Sequence, residues 1–280
     1  MKLGLGTAQF GQAYGVSNAR GRVPAAEVTA ILTRAAGGGV RVLDTAANYG
    51  DAEAVLAAND LTPFRIVTKT IGLKNGLDTV VARARQSAKT LGRIDLLLVH
   101  AAADLLGPGG EDFWSALRRL KDDGIVRGIG ISAYVAEDPA ALAVRFRPDA
   151  MQVPFSLLDQ RLLASGALAR MKELGVEIHA RSLFLQGLLF LPADRLPEKL
   201  KHIAPRLDFI RARIAAAGST ALAAALGFAL SQPEIDVGLV GVTGADELAE
   251  ILDAAKRPLP VLDWGSLALS DETVLTPSLW

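Results

Sequence analysis

The fold class the sequence predicts is a single (β/α)8 barrel, and three observations carry it. Short apolar, β-branched runs alternate with helix-length segments along nearly the whole chain, the pattern of parallel strands joined by crossover helices. Eight such units can be counted, and 280 residues is a common length for one closed barrel. Three of the runs, RVLDT (41–45), RIVTK (65–69) and DLLLVH (95–100), end at or just before Asp44, Tyr49, Lys69 and His100. In such barrels the reactive groups sit where strands end and βα loops begin.

The elements follow in order. Strand 1 is 3–8, and a helix covers about 24–36, with Pro24 suited to its first turn and Gly37-Gly38-Gly39 as its stop. Strand 2 (41–45) leads to a helix near 51–58, and strand 3 (65–70) to one near 76–90. Strand 4 (95–100) is followed by a Gly-Pro-Gly-Gly loop and a helix over 111–122. Strand 5 (126–132) precedes a helix near 138–145, and strand 6 (149–153) a helix over 160–173. Strand 7 (176–182) and strand 8 (237–242) are separated by a loop carrying Pro192, Pro197 and Pro205, then by helices near 206–216 and 219–231. A last helix is expected over 245–255. No linker divides the chain, so 1–280 reads as one domain with 258–280 as a C-terminal tail.

Composition narrows the function. Thirty basic and 30 acidic side chains cancel, which favours neither nucleic acid nor an anionic membrane as partner. There is no cysteine, hence no thiolate metal site and no thiol nucleophile, and no histidine cluster proposes a metal. The start MKLGLGTAQFG breaks at Gly and Gln before a secretory apolar region forms, and the most apolar stretch, 221–230, is about half the roughly 20 residues that span a bilayer. A cytoplasmic location is expected, and the oligomeric state is not legible.

The four rim residues form a proton-transfer set. A substrate oxygen that gains negative charge during a reaction needs a proton donor beside it. Tyr49 can be that acid if a cation tunes its phenol; Lys69 can supply the cation, and Asp44 can hold the ammonium charged in an apolar cleft. Taken singly, a loop tyrosine, a strand-end lysine, an Asp-Thr turn acceptor and a strand-end histidine are ordinary structure. Their joint placement on three consecutive strand ends is what points to catalysis. His179, inside strand 7, and His202, in a charged proline-flanked segment, read as structural.

LGLGTAQFG, LDTAANYGDAEAVL, VTK, LLLVH, RGIGISAY, MQVPFSLLD, RSLFLQGLL and GLVGVTGADELAEIL occur in this order over most of the chain. Together they resemble the aldo-keto reductase family. The resemblance implies one barrel using a nicotinamide cofactor without a Rossmann domain, reducing an aldehyde or ketone, and it gives His100 the role of orienting the carbonyl. It implies cofactor contacts from Gly6, Thr7 and Ala8 behind the nicotinamide, from Asp44, from Ser132 and Gln152 to the carboxamide, and from Phe155 as the stacking ring. Ser182, Leu183 and Gly187 match the pyrophosphate loop, and Gly241, Val242, Thr243, Glu247 and Glu250 the adenosine end. In the family the substrate pocket is shaped by loops after strands 1, 4 and 7 and by the tail; here that brings in Phe10, Tyr14, Arg20, 101–110, 181–191, Trp264 and Trp280.

Departures from the pattern carry information too. Ala133 stands where the family often has Asn, and Ile251 where Asn often follows the adenine-contacting acid. After strand 8 the basic residues that hold a ribose 2′-phosphate are absent, although Arg257 lies in the tail. A carboxylate there repels phosphate and can accept hydrogen bonds from an unphosphorylated ribose, so NADH use at least comparable to NADPH is expected. The GxGxxA run at 128–133 lies within a strand, which makes its Rossmann signal weak. Two other readings stay open: a nicotinamide-nucleotide-sensing regulatory protein with little turnover, and a Schiff-base aldolase using Lys69.

Overall fold

The computed structural model describes residues 2–15 and 18–280. Eight parallel strands close into a barrel in chain order: β1 (Leu3–Gly6), β2 (Val42–Asp44), β3 (Arg65–Lys69), β4 (Leu96–Val99), β5 (Ile129–Ser132), β6 (Ala150–Pro154), β7 (Glu177–Arg181) and β8 (Val237–Gly241). The ring is sealed by β8 pairing with β1, Gly6 opposite Gly241. The principal outer helices are Ala25–Gly37, Ala52–Ala57, Leu77–Leu91, Gly110–Asp122, Pro139–Phe146, Ala167–Glu173, Ala204–Ala216, Ala221–Ser231 and Ala245–Ala254.

Alternation along each strand divides the core in two. Val42, Val67, Leu96, Leu98, Ala150, Val237 and Leu239 point inward and fill the barrel, while Leu5, Leu43, Ile66, Leu97, Ile131 and Ile178 join the larger core under the helices. Gly4 faces inward as well, and a Cβ there would lie 2.7 Å from the side chains of Leu239 and Val237. The barrel floor is crossed by an ion pair: Arg65 on β3 donates twice to Glu177 on β7, at 2.9 and 3.0 Å. Above it His179 is fully buried and donates from Nε2 to Glu177 Oε1 at 2.9 Å.

Several expected boundaries move for physical reasons. Pro24 is the N-cap rather than a first-turn residue, with extended ψ of 148°. The expected 160–173 helix is broken into Arg161–Ala164 and Ala167–Glu173, because Gly166 takes a left-handed φ of 73° between them. Pro205 belongs to the first turn of Ala204–Ala216, where its missing N–H costs nothing, and not to the preceding loop. In the tail, Trp264 packs against Phe228 and accepts a hydrogen bond from Gln160, and Leu269 donates to the Leu158 carbonyl. His202 in turn pairs with Asp271 at 3.0 Å. No single described helix is long and apolar enough to cross a membrane.

Candidate active site

Inward parity continues one residue past the apolar filling, and at that level the side chains change from hydrocarbon to polar. Val42 is followed two residues on by Asp44, Val67 by Lys69, Leu98 by His100, Gly130 by Ser132, Ala150 by Gln152 and His179 by Arg181. Six adjacent strands therefore put an ionic or hydrogen-bonding group on one rim. All six line a cavity of about 760 Å³ at the C-terminal end of the barrel, within the range of small-molecule sites.

The centre is a hydrogen-bonded chain. Lys69 Nζ donates to Asp44 Oδ2 at 2.5 Å and to the Thr45 carbonyl at 2.9 Å, and lies 3.5 Å from the Tyr49 hydroxyl. The other oxygen of Asp44 accepts from Gln152 Nε2 at 2.6 Å. The Lys69 side chain is only 1% exposed. Burial alone drives its pKa down, but the Asp44 carboxylate and the neighbouring Tyr49 more than offset this and hold it above the ordinary lysine value. The ring of His100 meets that of Tyr49 edge-on, centroids 5.8 Å apart. Burial, reinforced by the Lys69 cation, lowers the His100 pKa to about 4, so the imidazole is neutral at physiological pH.

Tyr49 itself is aimed by a tight backbone crossing. Gly50 takes φ of +57°, and Gly11 packs so closely on this turn that a Cβ would collide with the Tyr49 carbonyl oxygen. Beneath the turn the buried Glu53 accepts from Thr68 at 2.7 Å, from Arg83 at 2.7 Å and from Ser87 at 2.9 Å, tying the Tyr49 segment to β3 and the next helix.

The sequence profile of the Aldo/keto reductase family matches residues 2–270. This chain belongs to the aldo/keto reductase family. Among curated relatives, an aldo-keto reductase of Mycolicibacterium smegmatis is 34% identical over 130 residues, and one of Mycobacterium sp. strain MCS is 33% identical over 126. Each alignment covers 42% of this chain, and the matched region spans 44% of either relative. The fold is similar to that of the aldo-keto reductase AKR11C1 from Bacillus halodurans in its holo form, with TM-score 0.76 at 19% identity over 95% of this chain and 90% of that one.

In this family member the structure brings most of the sequence-selected residues to one cavity. Gly6, Thr7, Ala8, Asp44, Tyr49, Lys69, His100, Ser132, Gln152, Ser182, Leu183, Gly187, Gly241, Val242, Thr243, Glu247 and Glu250 all line it. Phe155 does not. It follows β6, is fully buried and stacks on Phe228 at 5.5 Å, because its backbone N–H is held by the Arg181 carbonyl and its ring turns out under the helices. Arg257, Phe10, Trp264 and Trp280 are likewise absent from the lining, as is the loop 101–110, whose short helix Ala103–Leu106 buries Leu105 in the core. The indole N–H of Trp280 is spent on the Thr273 and Val274 carbonyls. Of the residues the pocket loops were expected to bring in, Tyr14 and Arg20 after β1 and Phe184 and Phe190 after β7 do line the cavity, and Tyr134 after β5 joins them. Among the described residues no group of three or more His, Cys, Asp or Glu side chains is placed to hold a metal.

The segment after β7 is conformationally unusual. Ser182, Leu185 and Gln186 adopt φ of 61°, 46° and 53°, followed by Gly187 at 85°. Left-handed non-glycine residues are costly, and they cluster where a backbone is shaped for a ligand. Across the mouth, Arg20 grips Asp246 with two hydrogen bonds of 3.0 and 2.9 Å. Glu247 folds back on Thr243, accepting from its N–H at 2.7 Å and its hydroxyl at 2.9 Å.

Proposed function

We propose that this aldo/keto reductase family member interconverts an aldehyde or ketone and its alcohol with a nicotinamide dinucleotide, Tyr49 acting as general acid or base. The observation that supports this most directly is the chain Gln152–Asp44–Lys69–Tyr49, which keeps an ammonium charged beside a phenol in a buried rim. The residues fit the dinucleotide. Ser132 offers a hydroxyl, and Gln152 a carbonyl left free by its bond to Asp44, to a carboxamide. Ser182, Leu183 and Gly187, on the left-handed turn after β7, line the cavity where the phosphate oxygens would be held. Gly241 to Glu250 line the far end.

When bound, the nicotinamide supplies or accepts the hydride. Tyr49 gives its phenolic proton to the carbonyl oxygen as charge develops there. Lys69 stabilises the phenolate left behind, and Asp44 keeps Lys69 protonated throughout. Neutral His100 hydrogen-bonds the same oxygen and fixes which face is presented, without adding a competing charge. A Schiff-base role for Lys69 is disfavoured, since that chemistry needs the free amine and Asp44 opposes its formation. Tyr49→Phe is expected to lower the rate of the chemical step by about 10²–10⁴ while cofactor affinity, read by fluorescence titration, stays nearly intact. Parallel loss of both would show that Tyr49 serves binding instead.

NADH use at least comparable to NADPH belongs to the same proposal. The adenosine end carries Glu247 and Glu250, and the nearby cation Arg20 is already engaged by Asp246. Steady-state kinetics with both cofactors tests it, and a hundredfold preference for NADPH would overturn it.

A further inference from the structure

The cavity contains three fixed cations, and they differ in how they are neutralised. Lys69 is paired with Asp44 and Arg20 with Asp246. Arg181, at the inward-facing end of β7, has no carboxylate partner among the described residues. Its guanidinium lies over the ring of Tyr134 at 4.2 Å and makes one long hydrogen bond, 3.5 Å, to the Ala133 carbonyl. A guanidinium has five N–H donors in a planar fork, so most of its capacity is unspent.

Its position faces the proton-transfer groups. The Arg181 charge helps depress the pKa of His100 and opposes the rise that burial imposes on Tyr14, so both lie within its field. It reaches toward Tyr134 on the β5 side of the cavity, whereas the left-handed turn read above as a phosphate cradle begins one residue later at Ser182. All three tyrosines of the chain, Tyr14, Tyr49 and Tyr134, line this cavity.

We infer that Arg181 is a specificity-determining residue and that the preferred carbonyl substrate carries a carboxylate, which the Arg181 fork binds while Tyr49 and His100 hold the carbonyl. A carboxylate is favoured over a phosphate dianion because one unpaired cation matches one negative charge, and a planar fork matches a planar carboxylate in bidentate fashion. The cation–π contact with Tyr134 holds the guanidinium in orientation without cancelling its charge. This inference rests on the carbonyl-reductase reading above for its kinetic expression, and deepens it.

The test compares 4-carboxybenzaldehyde with its neutral counterpart 4-formylbenzamide, by kcat/KM with NADH or NADPH in wild type, Arg181→Gln and Arg181→Lys. Calorimetry of the dead-end pair 4-methylbenzoate and 4-methylbenzamide on the cofactor-loaded protein reads anion recognition without turnover. Wild type is expected to favour the acid at least tenfold in both measurements. Arg181→Gln should collapse that ratio towards one, chiefly through KM, and Arg181→Lys should restore part of it. A merely structural role would lower acid and amide equally. Wild-type turnover of both aldehydes at equal efficiency would overturn the carboxylate inference and leave the reductase reading standing. Loss of cofactor affinity in Arg181→Gln with the ratio unchanged would overturn it in favour of a dinucleotide contact. Turnover of neither aldehyde, with 4-methylbenzoate still bound through Arg181, would sink the reductase reading and keep the anion site.

Discussion

His100 shows how far a neighbourhood can move one residue. Removed from water and set near the Lys69 ammonium, its imidazole resists protonation until about pH 4. An imidazolium so placed would repel Lys69 and compete for Tyr49, so the depressed value preserves the proton chain. The activity profile should accordingly show no acid limb from His100 between pH 8 and pH 5, loss of rate through this group beginning only as pH falls towards 4. The sign for stability is the reverse of that for a paired histidine. The unfolded chain binds the proton first, so the fold loses stability progressively as pH falls from about 6.5 to about 4. A kcat/KM profile on a substrate that does not itself titrate measures the first effect, and a titrating group near pH 6.5 removed by His100→Gln would contradict it. The same residue scale explains why Arg181, expected from the sequence only as one residue of the 181–191 pocket loop, had no role of its own there: an arginine ending a strand has no signature until its lack of a counter-ion is seen.

At the level of elements, the loop carrying Tyr49 owes its aim to contacts remote in sequence. Gly11, after β1, admits the Tyr49–Gly50 turn because it lacks a Cβ, and Glu53 pins the following helix to Thr68, Arg83 and Ser87. Gly11→Ala should force the turn aside, lowering stability by about 1–3 kcal/mol in the manner of an overpacked core. It should also lower kcat more than it weakens cofactor binding. Urea denaturation and single-turnover rates check both, and unchanged values of each would mean that the crossing is looser than it looks. The regular elements were legible where period and punctuation agreed, as in 111–122 and 237–242. The 160–173 segment was not, because a left-handed Gly166 breaks a pattern whose apolar period runs straight through it. Phe155 lies outside the cavity lining for a related reason: motif order locates a residue on the chain, but the side of the sheet it faces depends on how the strand ends.

For the whole molecule, closure of the barrel makes the two ends unlike. The open end carries the cavity, and the floor carries the Arg65–Glu177 pair, joining strands on opposite sides of the ring. The hydrogen bond from His179 and the charge of Arg65 outweigh burial and hold the Glu177 pKa at about 2. A depressed acid contributes stability that is fully present above its unfolded value near 4.5 and is lost as pH falls through about 2. Thermal melts against pH should therefore fall less steeply between pH 4.5 and 2 in Glu177→Gln than in wild type, from a lower starting point at neutral pH. Activity at neutral pH should change little, since Glu177 lies at the end of the barrel away from the cavity.

By itself the sequence determined the barrel, the order of its strands, and the acid, phenol, amine and imidazole on its rim, because two-residue alternation and strand-end position are local properties that any reader of the chain can count. Which polar groups are satisfied, which ring faces the cavity and which cation stands without a partner were decided only when eight strands closed. Those are relations between residues distant in the chain, such as Arg20 and Asp246, 226 positions apart, and local periodicity carries no record of them.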